Sequence, residues 1–185
     1  MANKSSRKSD TPNALDLLTE DHERVKQLFA EFEQMQGDEE DAENKRYLVE
    51  LACAELSIHA QLEEELFYPA LRDALEEQDM LDEAQVEHDT AKQLIAELDT
   101  MQPDEDLYDA KFKVLSEYVK HHIDEEENEI FAQAEKSGID LDALAVAMLE
   151  RQDELRAEYG LIEEDEEDAA FMQQQQDNQP DRPQA

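Results

Sequence analysis

Residues 19–35 read TEDHERVKQLFAEFEQM, and residues 85–101 read QVEHDTAKQLIAELDTM. The two stretches align without a gap. His22 falls on His88, Lys26 on Lys92, Gln27 on Gln93, Leu28 on Leu94 and Met35 on Met101. Each copy is followed by a His and a Glu four residues apart, His59 with Glu63 and then His122 with Glu126. The order His, His-x-x-x-Glu, His, His-x-x-x-Glu takes up four of the five His in the 185-residue sequence. Imidazole and carboxylate are the ligands that suit iron, manganese and zinc. A duplicated ligand set points to one metal site built between two related halves.

The residues around each His repeat with helical spacing. Leu15, Leu18, Val25, Phe29 and Phe32 form an apolar stripe, and His22 stands where that stripe has a gap. Such a stripe faces a core. It predicts a first helix over residues 14–36, stopped by Gly37. A second starts near Asp41 and runs through Phe67 or beyond, with Leu48, Ala52, Leu62 and Leu66 on the face of His59 and Glu63. Pro69 is expected to end or kink it, because proline lacks the amide donor and clashes with the preceding turn. A third helix covers residues 80–101, with Leu81, Ala84, Ala91, Ile95 and Leu98 around His88. After Pro103 a fourth covers residues 106–136 and stops at Gly138. Its inner face holds Phe112, Leu115, Val119 and Ile130 around His122 and Glu126.

A shorter fifth helix, residues 141–159, carries Leu144, Met148 and Leu155 and is expected outside the bundle. The expected organisation is an all-α, up-down-up-down four-helix bundle. A disordered N-terminal tail covers 1–12, the bundle 13–137, the extra C-terminal helix 138–160, and a disordered acidic and Gln-rich tail 161–185. The last segment, with its EEDEED and QQQQ runs, has no apolar period that would contribute to a core.

Composition sets the limits. Three Gly and five Pro are few, which favours helix. No apolar run approaches the roughly 20 residues of a membrane span. Sixteen Lys and Arg face 52 Asp and Glu, for a formal charge of -36. That surface repels nucleic acid and anionic membranes, so neither is an expected partner. The charge is by itself a statement about solubility. MANKSSRKSD lacks the apolar core of a secretory signal, and a single Cys53 cannot form an internal disulfide. A cytoplasmic location is therefore expected.

Residues at i and i+4 share one face of a helix, so His59 stands beside Glu63 and His122 beside Glu126. With His22 and His88 they make six candidate metal ligands on four helices. One inward His, or one His-x-x-x-Glu, is ordinarily a hydrogen-bonded core group or a surface ion pair. Six such groups in four apolar stripes would bury several unpaired polar atoms, which is very unfavourable. A metal gives each of them a partner. Six ligands exceed the four that one zinc ion usually takes and suit two ions about 3.5–4 Å apart. His121, one step off the face of His122, is expected at the surface or behind the ligands, paired with Glu125. Glu55 is a candidate acceptor for an imidazole N–H. Of the acidic neighbours Glu64, Glu65, Glu125 and Glu127, most are expected to face solvent. Cys53 is expected to be a small buried hydrophobe.

The stretches EDH at 20–22, IHAQLEEELFYP at 58–69, EHD at 87–89 and HHIDEEENEIF at 121–131 resemble the hemerythrin-like, or His-His-Glu cation-binding, family. The resemblance covers residues 15–135. It implies a four-helix bundle holding two non-haem iron ions on His22, His59, Glu63, His88, His122 and Glu126, with zinc or manganese as alternatives. It also implies binding of, or reaction with, O₂, peroxide or nitric oxide, in oxygen, iron or redox sensing or in stress response. One departure bears on this. Oxygen-carrying hemerythrins place two His at i, i+4 on the third helix, whereas here Ala84 and Lys92 stand one turn before and after His88. Reversible O₂ storage is therefore not expected. No nucleophile, flavin motif or phosphate loop speaks for enzymatic turnover. The alternative is a regulatory or interaction protein whose metal site is a structural switch, with the fifth helix and tail as output.

Overall fold

The computed structural model describes residues 12–35 and 42–161. The expected stop at Gly37, the expected start near Asp41, and the two tails apart from Pro12 and Leu161 lie outside the described residues. Every regular element among the described residues is helical: α1 (Ala14–Gln34), α2 (Ala42–Leu62), α3 (Tyr68–Ala74), α4 (Asp79–Leu98), α5 (Tyr108–Glu125), α6 (Phe131–Ser137) and α7 (Leu141–Glu158). A π-helical turn, Glu63–Phe67, joins α2 to α3, and a second, Glu126–Ile130, joins α5 to α6. The bundle thus has four rods, α1, α2–α3, α4 and α5–α6, with α7 added outside. No helix among the described residues is long and apolar enough to cross a membrane.

Local chemistry explains where the helices begin and end. Asn13 caps α1, its Oδ1 accepting the amides of Leu15 at 2.8 Å and Asp16 at 3.3 Å, while Asp16 accepts the amide of Asn13 at 3.0 Å. This reciprocal pair satisfies amides that the first turn leaves open. Gly138 closes α6 at φ +81°, a conformation that favours glycine. Asp140 then caps α7 by accepting the amide of Ala143 at 3.0 Å.

Pro69 does not stop the second rod, which continues to Ala74. The wide turn just before it is closed by the Tyr68 amide donating to the Glu63 carbonyl, five residues back. That resets the helix, so Pro69 falls in the first turn of α3, where a missing amide costs least. Leu107, just before α5, has φ +75° and is 67% exposed. A branched side chain there is strained by about 1–2 kcal/mol, and Asn tolerates the same backbone better. Leu107→Asn should therefore raise stability by a few tenths to about 1 kcal/mol, read as a higher denaturation midpoint with an unchanged slope.

The core is split in two along the bundle. One cluster holds Leu15, Leu18, Phe67, Leu71, Leu81 and Ile130, together with Met148 and Leu155 of α7. The other holds Val25, Phe29, Phe32, Leu48, Ile95 and Phe112. Its aromatic centre is tight, with Phe112 ring centroids 5.5 Å from Phe29 and 4.5 Å from Phe32. On α1, α4 and the α5–α6 rod, His22, His88 and His122 with Glu126 stand between residues of the first cluster and residues of the second. The polar layer thus separates two apolar clusters that hold its helices in register.

Candidate metal centre

His22, His59, Glu63, His88, His122 and Glu126 are all buried. α1 supplies His22, α2 His59, α4 His88 and α5 His122. The two glutamates each open a π-helical turn. Such turns are rare and gather at functional sites. The wider turn spreads more residues around the axis, so neighbours in sequence lie closer on one face. This explains how Glu63 and Glu64, and likewise Glu126 and Glu127, both reach the polar layer.

The imidazole geometry repeats in the two halves. Nε2 of His22 and Nε2 of His59 lie 3.1 Å apart, as do Nε2 of His88 and Nε2 of His122. The ring centroids of the first pair are 4.7 Å apart and those of the second 4.8 Å. Glu63 sits between the halves, its Oε2 at 3.3 Å from Nε2 of both His59 and His88. Glu126 Oε2 lies 3.2 Å from His22 Nε2. One group of converging ligand atoms comprises His22, His59, Glu63 and Glu126, and another comprises Glu63, His88 and His122.

Behind the imidazoles stands a set of carboxylates. Nδ1 of His22 donates to Glu127 at 2.8 Å, Nδ1 of His88 to Glu64 at 2.9 Å, and Nδ1 of His122 to Glu87 at 2.7 Å. Nδ1 of His59 faces Asp21 at 3.7 Å, which is too long for a hydrogen bond. With the proton on Nδ1, each of the three bonded rings turns a lone pair on Nε2 inward, the tautomer that binds a cation. Lys26 reaches Glu127 at 3.4 Å, and Lys92 reaches Glu64 at 2.6 Å. Phe131 stacks on His22 with ring centroids 5.9 Å apart, and Tyr68 lies beside His88 at 5.5 Å. The Tyr68 hydroxyl also donates to Glu126 at 3.2 Å.

The charges inside the layer are out of balance. Both oxygens of Glu63, one of Glu126 and Nδ1 of His59 are buried without a hydrogen-bond partner. Burial, together with the charge of Glu126, pushes the Glu63 carboxyl well above the usual range. Burial also opposes ionisation of Glu126, but its contacts with His22 and Glu63 outweigh that and hold it low. The pair titrates as a unit. Burial acts against Glu64 as well, yet the bonds from His88 and Lys92 bring it down to about 2. Burial lowers His59 and His122. For His22 the bonds to Glu126 and Glu127 overcome burial and raise it.

A cavity of about 30 Å³ adjoins the imidazoles, walled by Val25, Leu56, Ala91, Ile95, Val119 and Ile123. That is room for a water or a diatomic molecule and little more.

All six residues singled out from sequence meet in this layer. His121 does not. It is 63% exposed and pairs with Glu125 at 3.3 Å, as its position one step off the inner face requires. Cys53 is buried, and burial pushes its thiol up to about 12, so it behaves as a small hydrophobe. Glu55 is not an imidazole acceptor. Its carboxylate takes both terminal nitrogens of Arg156, at 3.1 and 3.0 Å, and Arg24 at 3.3 Å. Guanidinium forks match a carboxylate better than one ring N–H does. Glu65 is exposed, but Glu64 and Glu127 bond the imidazoles, although helical spacing alone turns them outward. A signal for them is present: each His of α1 and α4 follows an acid and precedes a Lys by four residues, and each inner Glu is followed by another Glu.

Comparison with known proteins finds a family and a fold for this chain. The model of the hemerythrin HHE cation-binding domain matches residues 13–134. A crystal structure of a hemerythrin HHE cation-binding-domain-containing protein from Mycobacterium kansasii superposes with a TM-score of 0.68. It is 24% identical and covers 80% of this chain and 90% of its own. At that identity the likeness speaks for the fold. No curated protein sequence matches the chain.

Proposed function

Because the chain belongs to the hemerythrin HHE cation-binding family, we propose that its polar layer holds two iron ions and that the centre binds or reacts with O₂, peroxide or nitric oxide. His22, His59 and Glu126 would hold one ion, His88 and His122 the other, with Glu63 shared between them. The observation that carries this is the buried carboxylate pair, three of whose four oxygens lack a hydrogen-bond partner among four converging imidazoles. Leaving such groups unpaired costs several kcal/mol, by the roughly 1–3 kcal/mol of each. Cations between them remove that cost. Mixed imidazole and carboxylate ligation suits iron and leaves zinc and manganese as alternatives.

Bound iron supplies the electrons that O₂ or peroxide takes up. The protein's own part is to orient and to exclude. Glu64, Glu87 and Glu127 fix the ring tautomers, the two apolar clusters keep bulk water out, and the small apolar cavity admits a diatomic molecule. The Tyr68 hydroxyl holds a proton at Glu126 Oε1. The acidic surface disfavours nucleic acid as a partner, and the lone cysteine fits a reducing cytoplasm.

Reaction, rather than reversible storage, is expected, because Ala84 is packed in an apolar cluster and Lys92 is bonded to Glu64, so neither place offers a further imidazole. Protein loaded with ferrous iron under argon should change its optical spectrum in air and fail to recover it when oxygen is removed. Full recovery over repeated cycles would make O₂ storage the function. Zinc in the purified protein, with no optical change in air, would favour the reading in which metal is a structural switch. The bonds between α7 and the bundle are what support that second reading.

A further inference from the structure

The two halves of the centre differ behind one imidazole. Glu87, the residue before His88, lies 2.7 Å from Nδ1 of His122. Asp21, the matching residue before His22, lies 3.7 Å from Nδ1 of His59, and that buried nitrogen has no hydrogen-bond partner. The Asp21 carboxylate is engaged from outside the four rods instead. The amide nitrogen of Gln152, on α7, donates to both of its oxygens, at 3.3 and 3.1 Å. Arg24 stands farther off, at 3.9 Å from Oδ1.

Gln152 is held firmly enough to act on Asp21. α7 packs on α1, α2 and the Glu63–Phe67 turn. One turn before Gln152, Met148 is buried in the core, and Leu155, three residues after it, is fully buried. One turn after it, Arg156 makes two bonds to the buried Glu55. Its neighbour Arg151 donates to Glu65 at 2.8 Å.

We infer that Gln152 is a positioning residue that holds Asp21 away from His59 and thereby lowers the cation affinity of the His22–His59 half. The inference rests on the six inner side chains being metal ligands. A carboxylate bonded to the far nitrogen of an imidazole orients the ring and raises its basicity, and losing one typically weakens metal binding by about 10–100-fold. His122 has that support, and His59 lacks it because the carboxylate that would give it is bonded to α7.

The test is a titration of metal-free, full-length protein with Co²⁺ under argon, followed by its visible spectrum and by calorimetry. The native chain should bind two ions per chain. Gln152→Leu should tighten one of the two binding steps by about tenfold and leave the other in place. Arg151→Ala, which removes a nearby bond of α7 without touching Asp21, should move neither. Tightening of both steps alike in Gln152→Leu would overturn the inference. So would Gln152→Leu without effect, which would mean that the shorter aspartate side chain alone sets the 3.7 Å gap. Equal shifts in Gln152→Leu and Arg151→Ala would also overturn it, leaving only general docking of α7. No Co²⁺ binding at all would instead overturn the ligand assignment beneath it.

Discussion

Glu63→Leu should make the metal-free protein more stable and strip it of metal. The parent side chain is fully buried, and neither oxygen has a hydrogen-bond partner. A leucine of similar size removes that deficit, worth about 1–3 kcal/mol, and suits a helix. The same change deletes the carboxylate shared by both groups of converging ligand atoms. In the parent, metal that binds only the folded state adds about 2.7 kcal/mol when present at a hundredfold excess over its dissociation constant. The variant should lose most of that gain. Denaturation curves with and without metal, alongside elemental analysis, read both halves of the prediction. A metal-free variant less stable than its parent would show Glu63 to be ordinary packing, and full metal content would remove it from the site. His121→Ala, at an exposed position, should leave both quantities near the parent values.

Metal binding should release at least one proton near neutral pH, and its affinity should fall as pH falls. The sign follows from the groups in the layer. Glu63 is raised on folding, so its contribution to the metal-free fold is full below the unfolded value of 4.5 and is lost as pH rises through the folded value. His59 and His122 are lowered, so their contribution is full above the unfolded value of 6.5 and is lost as pH falls through the folded values. A cation needs Glu63 as an anion and the imidazoles neutral, so near pH 7 it displaces protons from Glu63 and from His22, which is also raised, whereas His59 and His122 compete for protons only at acid pH. For each coupled proton the dissociation constant rises about tenfold per unit fall in pH, since one unit corresponds to about 1.36 kcal/mol. The stabilisation by metal should therefore be greater at pH 8 than at pH 5.5. Calorimetric titrations at pH 7 in two buffers of different ionisation enthalpy count the protons, and a count of zero would contradict the raised Glu63.

The sequence by itself determined the four rods, the layer they meet in, and the six side chains at its centre. Each of those follows from local periodicity. A His in the gap of an apolar stripe, as His22 is between Leu18 and Val25, must point where the stripe points, and i, i+4 spacing carries Glu63 and Glu126 inward with His59 and His122. Only the tertiary structure decided what stands behind the imidazoles. Glu64 bonds His88 across 24 residues and Glu127 bonds His22 across 105, and no local pattern carries such pairings. The π-helical turns also lay beyond a reading based on the α-helical period. They move Glu64 and Glu127 onto a face that this period denies them, and the first of them lets the second rod pass Pro69. The role of α7 was hidden for the same reason. Its apolar residues show that it packs, but the reach of Gln152 to Asp21 spans 131 residues and exists only once the helix is docked.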